Sequence, residues 1–260
     1  MSIVNTFSLQ SNRQIKINFN GGDLSSDAGL LLIKEFAAKI GFTKLIKKKF
    51  KTNDKSVRFH KDHENLLQMI YQVISAYFQD DCTDELTLDP VFHAVLDKES
   101  LASQPTLSRF FNRMDEDTLV QFDDIDKNLR DIIYSIKRPE HMLLDLDSTL
   151  FGTYGKQEGE GFNFHYQAHG YHPLLCYDGL TGDLIKAELR DGTLYCSNGA
   201  DKFMKSIFQE YLERGIKTYL RGDSGFASPK LYETCESNGC SYAIRLKQNP
   251  ALIALASDKD

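Results

Sequence analysis

The sequence predicts an α/β chain, α+β overall, with a mostly helical first part and a mixed strand-and-helix second part. Apolar residues recur at helical spacing through most of the first 136 positions. The pattern changes near Lys137 to Glu140, and short alternating or continuous apolar runs then alternate with amphipathic segments. Three strands, a helix, a strand, a helix and a strand form the grammar of a mixed α/β domain. The division expected from this is 1–139 for the helical region and 140–260 for the mixed domain.

In the helical region, "RQIKINFN" reads as a short strand before a Gly-Gly turn, and Ser25, Ser26 or Asp27 is placed to cap the helix "AGLLLIKEFAAKIGF", which Gly41 stops. Helices follow over 63–78, 89–98 and 101–114, the last with Ser103 as cap and Pro105 in its first turn, and over roughly 117–136. In the second part, "HMLLDLDSTL" reads as a buried strand and "FNFHYQAHGYHPLLCYD" as two short strands or one broken one. "DLIKAELRDG" is an alternating strand, and "ADKFMKSIFQEYLERG" an amphipathic helix closed by Gly215. Then come the strand "IKTYLRGDSG", a helix starting at Ser228 and Pro229, and the strand "CSYAIRLK".

A chain of 260 residues with 41% hydrophobic and 26% charged residues can bury a core, which excludes a disordered polypeptide. The N-terminus lacks the charged-then-apolar order of a signal peptide, and no apolar run approaches the roughly 18 residues that span a bilayer. A cytoplasmic protein without a membrane partner is expected. Five scattered cysteines read as reduced thiols; Cys235 and Cys240 have zinc-like spacing but no second Cys/His pair at finger spacing. The net charge of −6 excludes a protein coated in nucleic acid, yet charge is unevenly spread. Residues 43–61 are strongly basic, whereas 78–89 and 114–126 are acidic. Lys47, Lys48, Lys49 and Lys51 suit a solvated helix end and a phosphate-contacting patch equally. Arg109 and Arg113, four apart on one helical face, are further candidates for contacting DNA, although arginines on an exposed face are common.

The stretch "MLLDLDSTLFGTYG" (142–155) sets two aspartates inside an apolar run. A carboxylate taken from water needs a counter-charge or a metal. Asp147 and Asp223 share a context, each closing an apolar strand and each followed by Ser and a nearby Gly. In open α/β sheets functional groups gather at the carboxyl ends of strands. If the two strands are neighbours, the carboxylates meet at one sheet edge and need a cation between them, and hard oxygen donors suit magnesium or manganese. Asp145 lies on the same side of its strand as Asp147, so either is available as the ligand; the strand-end position favours Asp147. The plainer alternative is that Asp223 caps the next segment and Asp147 starts a turn. A rival set, His165, His169 and His172, has metal-like spacing, but Gly170 and Pro173 break the helix it needs. His172 is also a candidate for lying near a polynucleotide backbone.

Taken in order, "SSDAGLLLIKEF", "YFQDDCTDELTLDPVF", "LASQPTLSRFFNR", "LLDLDSTL", "GYHPLL", "LRDGTLYCSNGA", "YLRGDSGFASPKLYE" and "YAIRLKQNP" resemble bacterial insertion-sequence transposases with a DDE domain of the group-1 type, over nearly the whole chain. The resemblance implies a ribonuclease H-like catalytic domain over 140–260 and a DNA-binding or accessory region over 1–139. It implies that Asp147 and Asp223 are the first two catalytic, metal-holding aspartates. It further implies Mg2+, with Mn2+ as substitute, and double-stranded DNA as substrate, namely the element ends and the target, with dimers acting on paired ends. The family's third carboxylate, a glutamate in a Tyr-x2-Arg-x3-Glu-x6-Lys pattern, has no counterpart here, and Glu233 and Glu236 fall too early for it. The expectation is therefore a catalytic domain truncated at its C-terminus and inactive in isolation. The alternative is a non-catalytic DNA-binding remnant of a transposase.

Overall fold

A computed structural model describes residues 6–19, 21 and 25–257. The Gly-Gly turn expected near Gly21 falls partly outside them. The chain forms two compact units, Met1–Lys137 and Arg138–Asp260. No helix among the described residues is long and apolar enough to cross a membrane.

The first unit opens with an antiparallel pair, β1 (Thr6–Ser8) and β2 (Lys16–Asn18). Seven helices follow: α1 (Leu30–Lys39), α2 (Phe42–Lys49), α3 (Asp62–Ile74), α4 (Cys82–Leu86), α5 (Pro90–Leu96), α6 (Gln104–Phe111) and α7 (Glu116–Ile136). They close on two apolar clusters, one around Leu30, Tyr71, Phe92 and Leu101, the other around Ile46, Phe50, Leu67, Phe110 and Ile125. No side chain caps α1; Asp27 instead accepts a hydrogen bond from the Tyr77 hydroxyl at 2.9 Å. Helix α3 ends earlier than its apolar pattern, because Ala76 takes a left-handed conformation at φ 65°. Two helices were not legible in sequence. In α2 the lysines mask an amphipathic segment whose one buried residue is Ile46, and α4 is a five-residue turn in an acidic stretch. Where caps form they are local: Asp89 accepts from the Val91 and Phe92 amides ahead of Pro90, and Asp115 from the Thr118 amide.

The second unit contains β3 (His141–Ser148), β4 (Phe151–Gly152), β5 (Gly161–Asn163), β6 (Ala168–Tyr171), β7 (Leu174–Asp178), β8 (Leu184–Glu188), α8 (Ala200–Glu213), β9 (Lys217–Gly222), α9 (Pro229–Ser237), β10 (Ser241–Ile244) and α10 (Pro250–Ser257). Five strands make one mixed sheet in the order β10-β9-β3-β7-β8. β3 pairs β9 and β9 pairs β10 in parallel, while β3–β7 and β7–β8 are antiparallel. The mixed α/β class expected from the sequence is what the structure shows, a mixed five-stranded sheet with flanking helices. β4, β6 and β5 form a separate three-stranded sheet inserted between β3 and β7, and "FNFHYQAHGYHPLLCYD", read as at most two strands, carries most of β5 together with β6 and β7.

The reading of "HMLLDLDSTL" as a buried strand is corrected, since only alternate residues of β3 are buried. Met142, Leu144 and Leu146 are at most 3% exposed, whereas Leu143 and Asp145 are half-buried and Asp147 is exposed. One face of the sheet is sealed by α8, which packs on β8 and β9, and by α9, which packs on α8 and β10. The aspartates project from the other face. Alternation of side chains, not charge burial, explains how they fit an apolar strand.

Leu144 sits fully buried on the central strand. Leu144→Ala should cost about 2–5 kcal/mol, read as a fall in the urea midpoint with the slope unchanged.

Candidate functional site

The strand register settles how Asp147 and Asp223 meet. In the parallel β3–β9 pair, Leu144 faces Leu220, Asp145 faces Arg221 and Leu146 faces Gly222. The next residue on each strand is Asp147 and Asp223, so the two carboxylates leave neighbouring strands at the same level, at the carboxyl ends. Both line one cleft of about 360 Å³, together with Ser148, His172, Tyr195 and Lys247.

Each carboxylate is oriented by one backbone amide. Asp147 Oδ1 accepts from the Ser148 N–H at 2.7 Å, and Asp223 Oδ1 from the Gly225 N–H at 2.7 Å. Their Oδ2 atoms have no hydrogen-bond or ion-pair partner among the described residues. Asp145 is different. Arg221 grips it with both nitrogens, Nε to Oδ1 at 2.8 Å and Nη2 to Oδ2 at 2.5 Å, and that pair raises the Arg221 pKa. Gly179 packs against the same carboxylate so closely that a Cβ there would lie 2.7 Å from Oδ2. Both Asp145 oxygens are thus engaged by Arg221, whereas Asp147 accepts only the Ser148 amide among the described residues.

The cleft wall is built by the small sheet and the loop after β8. Asn163 donates to the Gly192 carbonyl at 2.8 Å, and Tyr171 bridges to Asp191. Gly192 lies so close to the Gly170 and Gly161 carbonyls that a Cβ would stand 2.0 Å and 2.5 Å from their oxygens, which excludes any other residue. Arg190, 6% exposed, ties this loop to the strand before it through Nε to the His172 carbonyl at 2.9 Å and Nη1 to the Asn198 carbonyl; burial lowers its pKa.

His172 is 3% exposed and lines the cleft. Its Nδ1 lies 2.7 Å from the Leu194 carbonyl, which can only accept, so Nδ1 carries a proton and, in the neutral ring, Nε2 is an acceptor. That Nε2 is buried without a protein partner. Of the other two histidines of the candidate cluster, His165 lines the same cleft and lies edge-on to Tyr166, whereas His169 pairs with Glu160 at 2.9 Å. Lys247, in the last string of the sequence pattern, donates to the Tyr195 hydroxyl at 2.9 Å; that bond, and the nearby Asp223 more weakly, raise its pKa. Arg190 and Lys247 carried no separate sequence signal, because isolated basic residues after a strand are ordinary.

The donor set fits a hard divalent cation in part. Two free carboxylate oxygens face one cleft, and magnesium is commonly held by one or two carboxylates with water and substrate phosphate completing its shell. Among the described residues, no group of three His, Cys, Asp or Glu side chains is arranged to hold a metal.

The family model for the Transposase DDE domain group 1 matches residues 7–260. The chain belongs to that family. Solved structures similar to it include a piggyBac transposase synaptic complex with hairpin DNA, at 16% identity over 86% of this chain and 50% of that one, TM-score 0.39. The catalytic domain of Mos1 mariner transposase aligns at 13% identity over 56% of this chain and 72% of that one, TM-score 0.30. A simian T-cell lymphotropic virus intasome in complex with the PP2A regulatory subunit B56 gamma aligns at 17% identity over 46% of this chain, TM-score 0.29. The chain spans 37% of that last chain and 50% of the piggyBac one. No curated protein sequence matches.

The basic candidates lie in the first unit and differ in freedom. Lys47 and Lys48 are exposed on α2, whereas Lys49 is bound to Asp124 at 2.6 Å. Arg109 is exposed and, among the described residues, reaches only the Thr106 hydroxyl, at 3.4 Å. Arg113 is not the free partner that the four-residue spacing suggested. Its Nη2 holds Asp62 at 2.9 Å, its Nη1 the Arg109 carbonyl at 3.0 Å, and its guanidinium lies over Phe110.

Burial raises the Asp62 pKa, but bonds from Thr52 and Arg113 more than offset it, so the carboxyl sits below its ordinary value. A depressed carboxyl contributes stability above its unfolded pKa of about 4, lost as pH falls through the lower folded value. Asp62→Asn should therefore lower the urea midpoint at pH 6, and the gap from wild type should close as the pH is taken from 5 towards 2.

Proposed function

We propose that the chain is an insertion-sequence transposase, or part of one, that cleaves and joins DNA by divalent-metal-dependent phosphoryl transfer at the Asp147–Asp223 cleft. The observation that carries this reading is the β3–β9 register, which sets two carboxylates side by side with free oxygens. Family membership supplies the reaction class. A Mg2+ or Mn2+ ion held by Asp147 and Asp223 would supply Lewis-acid stabilisation of the phosphoryl oxygens.

The chain's own residues prepare the rest of the cleft. Ser148 and Gly225 amides fix the two carboxylates, so that no reorganisation is needed when a cation or phosphate arrives. His172 Nε2 offers a buried acceptor for a proton from an attacking water or 3′-hydroxyl. Lys247, kept charged at neutral pH by its bond to Tyr195, offers a cation to a phosphate beside Asp223. Asp145 takes no part in the reaction, since Arg221 occupies both of its oxygens.

A second reading, a DNA-binding protein without catalysis, is favoured by the missing third ligand among the described residues. In that case DNA binding depends on salt and survives loss of either aspartate. The two readings separate by calorimetry with Mn2+. The transposase reading expects Asp147→Asn and Asp223→Asn each to weaken binding about tenfold or more, with Asp145→Asn near wild type. Equal binding by all four proteins would remove the metal site.

A further inference from the structure

Away from the cleft, in the first unit, lies an opening of about 250 Å³ lined by Arg58, His60, Asn65, Thr106, Arg109 and Arg113. Asn65, on the first turns of α3, is 1% exposed, and neither its Nδ2 nor its Oδ1 has a hydrogen-bond partner. Arg113 Nε is buried without a hydrogen bond as well, with the Asp54 carboxylate 4.0 Å away. Buried amides and guanidinium nitrogens are nearly always bonded, so two of them unpaired at one opening point to a ligand that completes them.

The charges around the opening define that ligand. Arg58 pairs with Asp54, and Arg113 pairs with Asp62 and stands 4.0 Å from Asp54. Those two carboxylates offset two guanidiniums. Arg109 is left with no carboxylate partner among the described residues, so the opening carries an uncompensated positive charge. His60 is neutral at pH 7, because burial and then the Lys98 ammonium lower its pKa. Its Nδ1 accepts from Lys98 Nζ at 3.1 Å, which leaves Nε2 as a hydrogen donor. Donors thus predominate: Arg109, Arg113 Nε, Asn65 Nδ2, the Thr106 hydroxyl and His60 Nε2. An oxyanion with several acceptor oxygens matches them. Val57 and Phe59, both strongly exposed, rim the opening with apolar surface suited to a sugar.

We propose that this opening is a receptor for one backbone phosphate of DNA, with Arg109 supplying the charge and Asn65 with Arg113 Nε reading its oxygens. It rests on the transposase reading only for the source of the phosphate, and it needs neither aspartate of the cleft. The test is fluorescence anisotropy of the full chain with a short labelled duplex of arbitrary sequence, in chelator, so that failure of the metal site leaves the result untouched. Arg109→Ala should weaken binding roughly tenfold and reduce the salt slope by about one. Asn65→Leu should weaken binding too, while its melting temperature stays at or above wild type, because an unpaired buried amide is removed. If Asn65→Leu binds the duplex like wild type while melting higher, Asn65 is a structural residue and the proposal fails. Arg109→Ala, on the surface, decides the matter should Asn65→Leu not fold: an unchanged affinity and slope overturns the site. Inorganic phosphate separates the two sources. If millimolar phosphate raises the melting temperature of wild type but not of Arg109→Ala, while both bind the duplex equally, the opening serves free phosphate and the DNA assignment is wrong.

Discussion

Everything at the cleft depends on the pairing of β3 with β9. Residues paired across the two strands are 76 apart in sequence, and the parallel register aligns Leu144 with Leu220 and Leu146 with Gly222. A shift of one residue would turn Met142, Leu144 and Leu146 away from α8 and α9 and bury the aspartates in their place. The apolar face therefore enforces the position of the carboxylates: the residues that make the core on one side fix the level at which Asp147 and Asp223 emerge on the other.

The same face shows why one of three nearby aspartates differs. Asp145 and Asp147 both leave the open side of β3, two residues apart. Asp145 lies opposite Arg221, within the paired part of the strand, and is neutralised there. Asp147 lies opposite the end of β9, beyond which a 3-10 turn at Ser224–Phe226 carries the chain away, so no basic side chain meets it. The loop 191–196, held by Arg190 and Asn163, then walls the cleft and brings His172 with an unpaired nitrogen.

Much of this was legible in sequence. The strands bearing Asp147 and Asp223, and α7, α8 and α9, follow from periodicity and from Pro, Ser, Asp and Gly at their ends. Helix α2 did not, because a run of lysines conceals one buried isoleucine. Nor did α10, whose apolar residues show no polar face to set a period. The two-faced nature of β3 was hidden because Leu143, at a position on the open side, is as apolar as its buried neighbours. The engagement of Arg113 was beyond any local reading: its partner Asp62 lies 51 residues away. Spacing reports which side chains share a face; it does not report what a distant segment lays against that face.

The central claim is that a divalent cation belongs between Asp147 and Asp223. The most direct measurement is paramagnetic broadening of backbone amide signals on titration with Mn2+, which reports distance from the bound ion. The Ser148 and Gly225 amides, each hydrogen-bonded to one of the two carboxylates, should broaden first and together, ahead of the Gly179 amide beside Asp145. Broadening that begins at His169 and Glu160, or that spreads evenly over the acidic surface, would contradict the account.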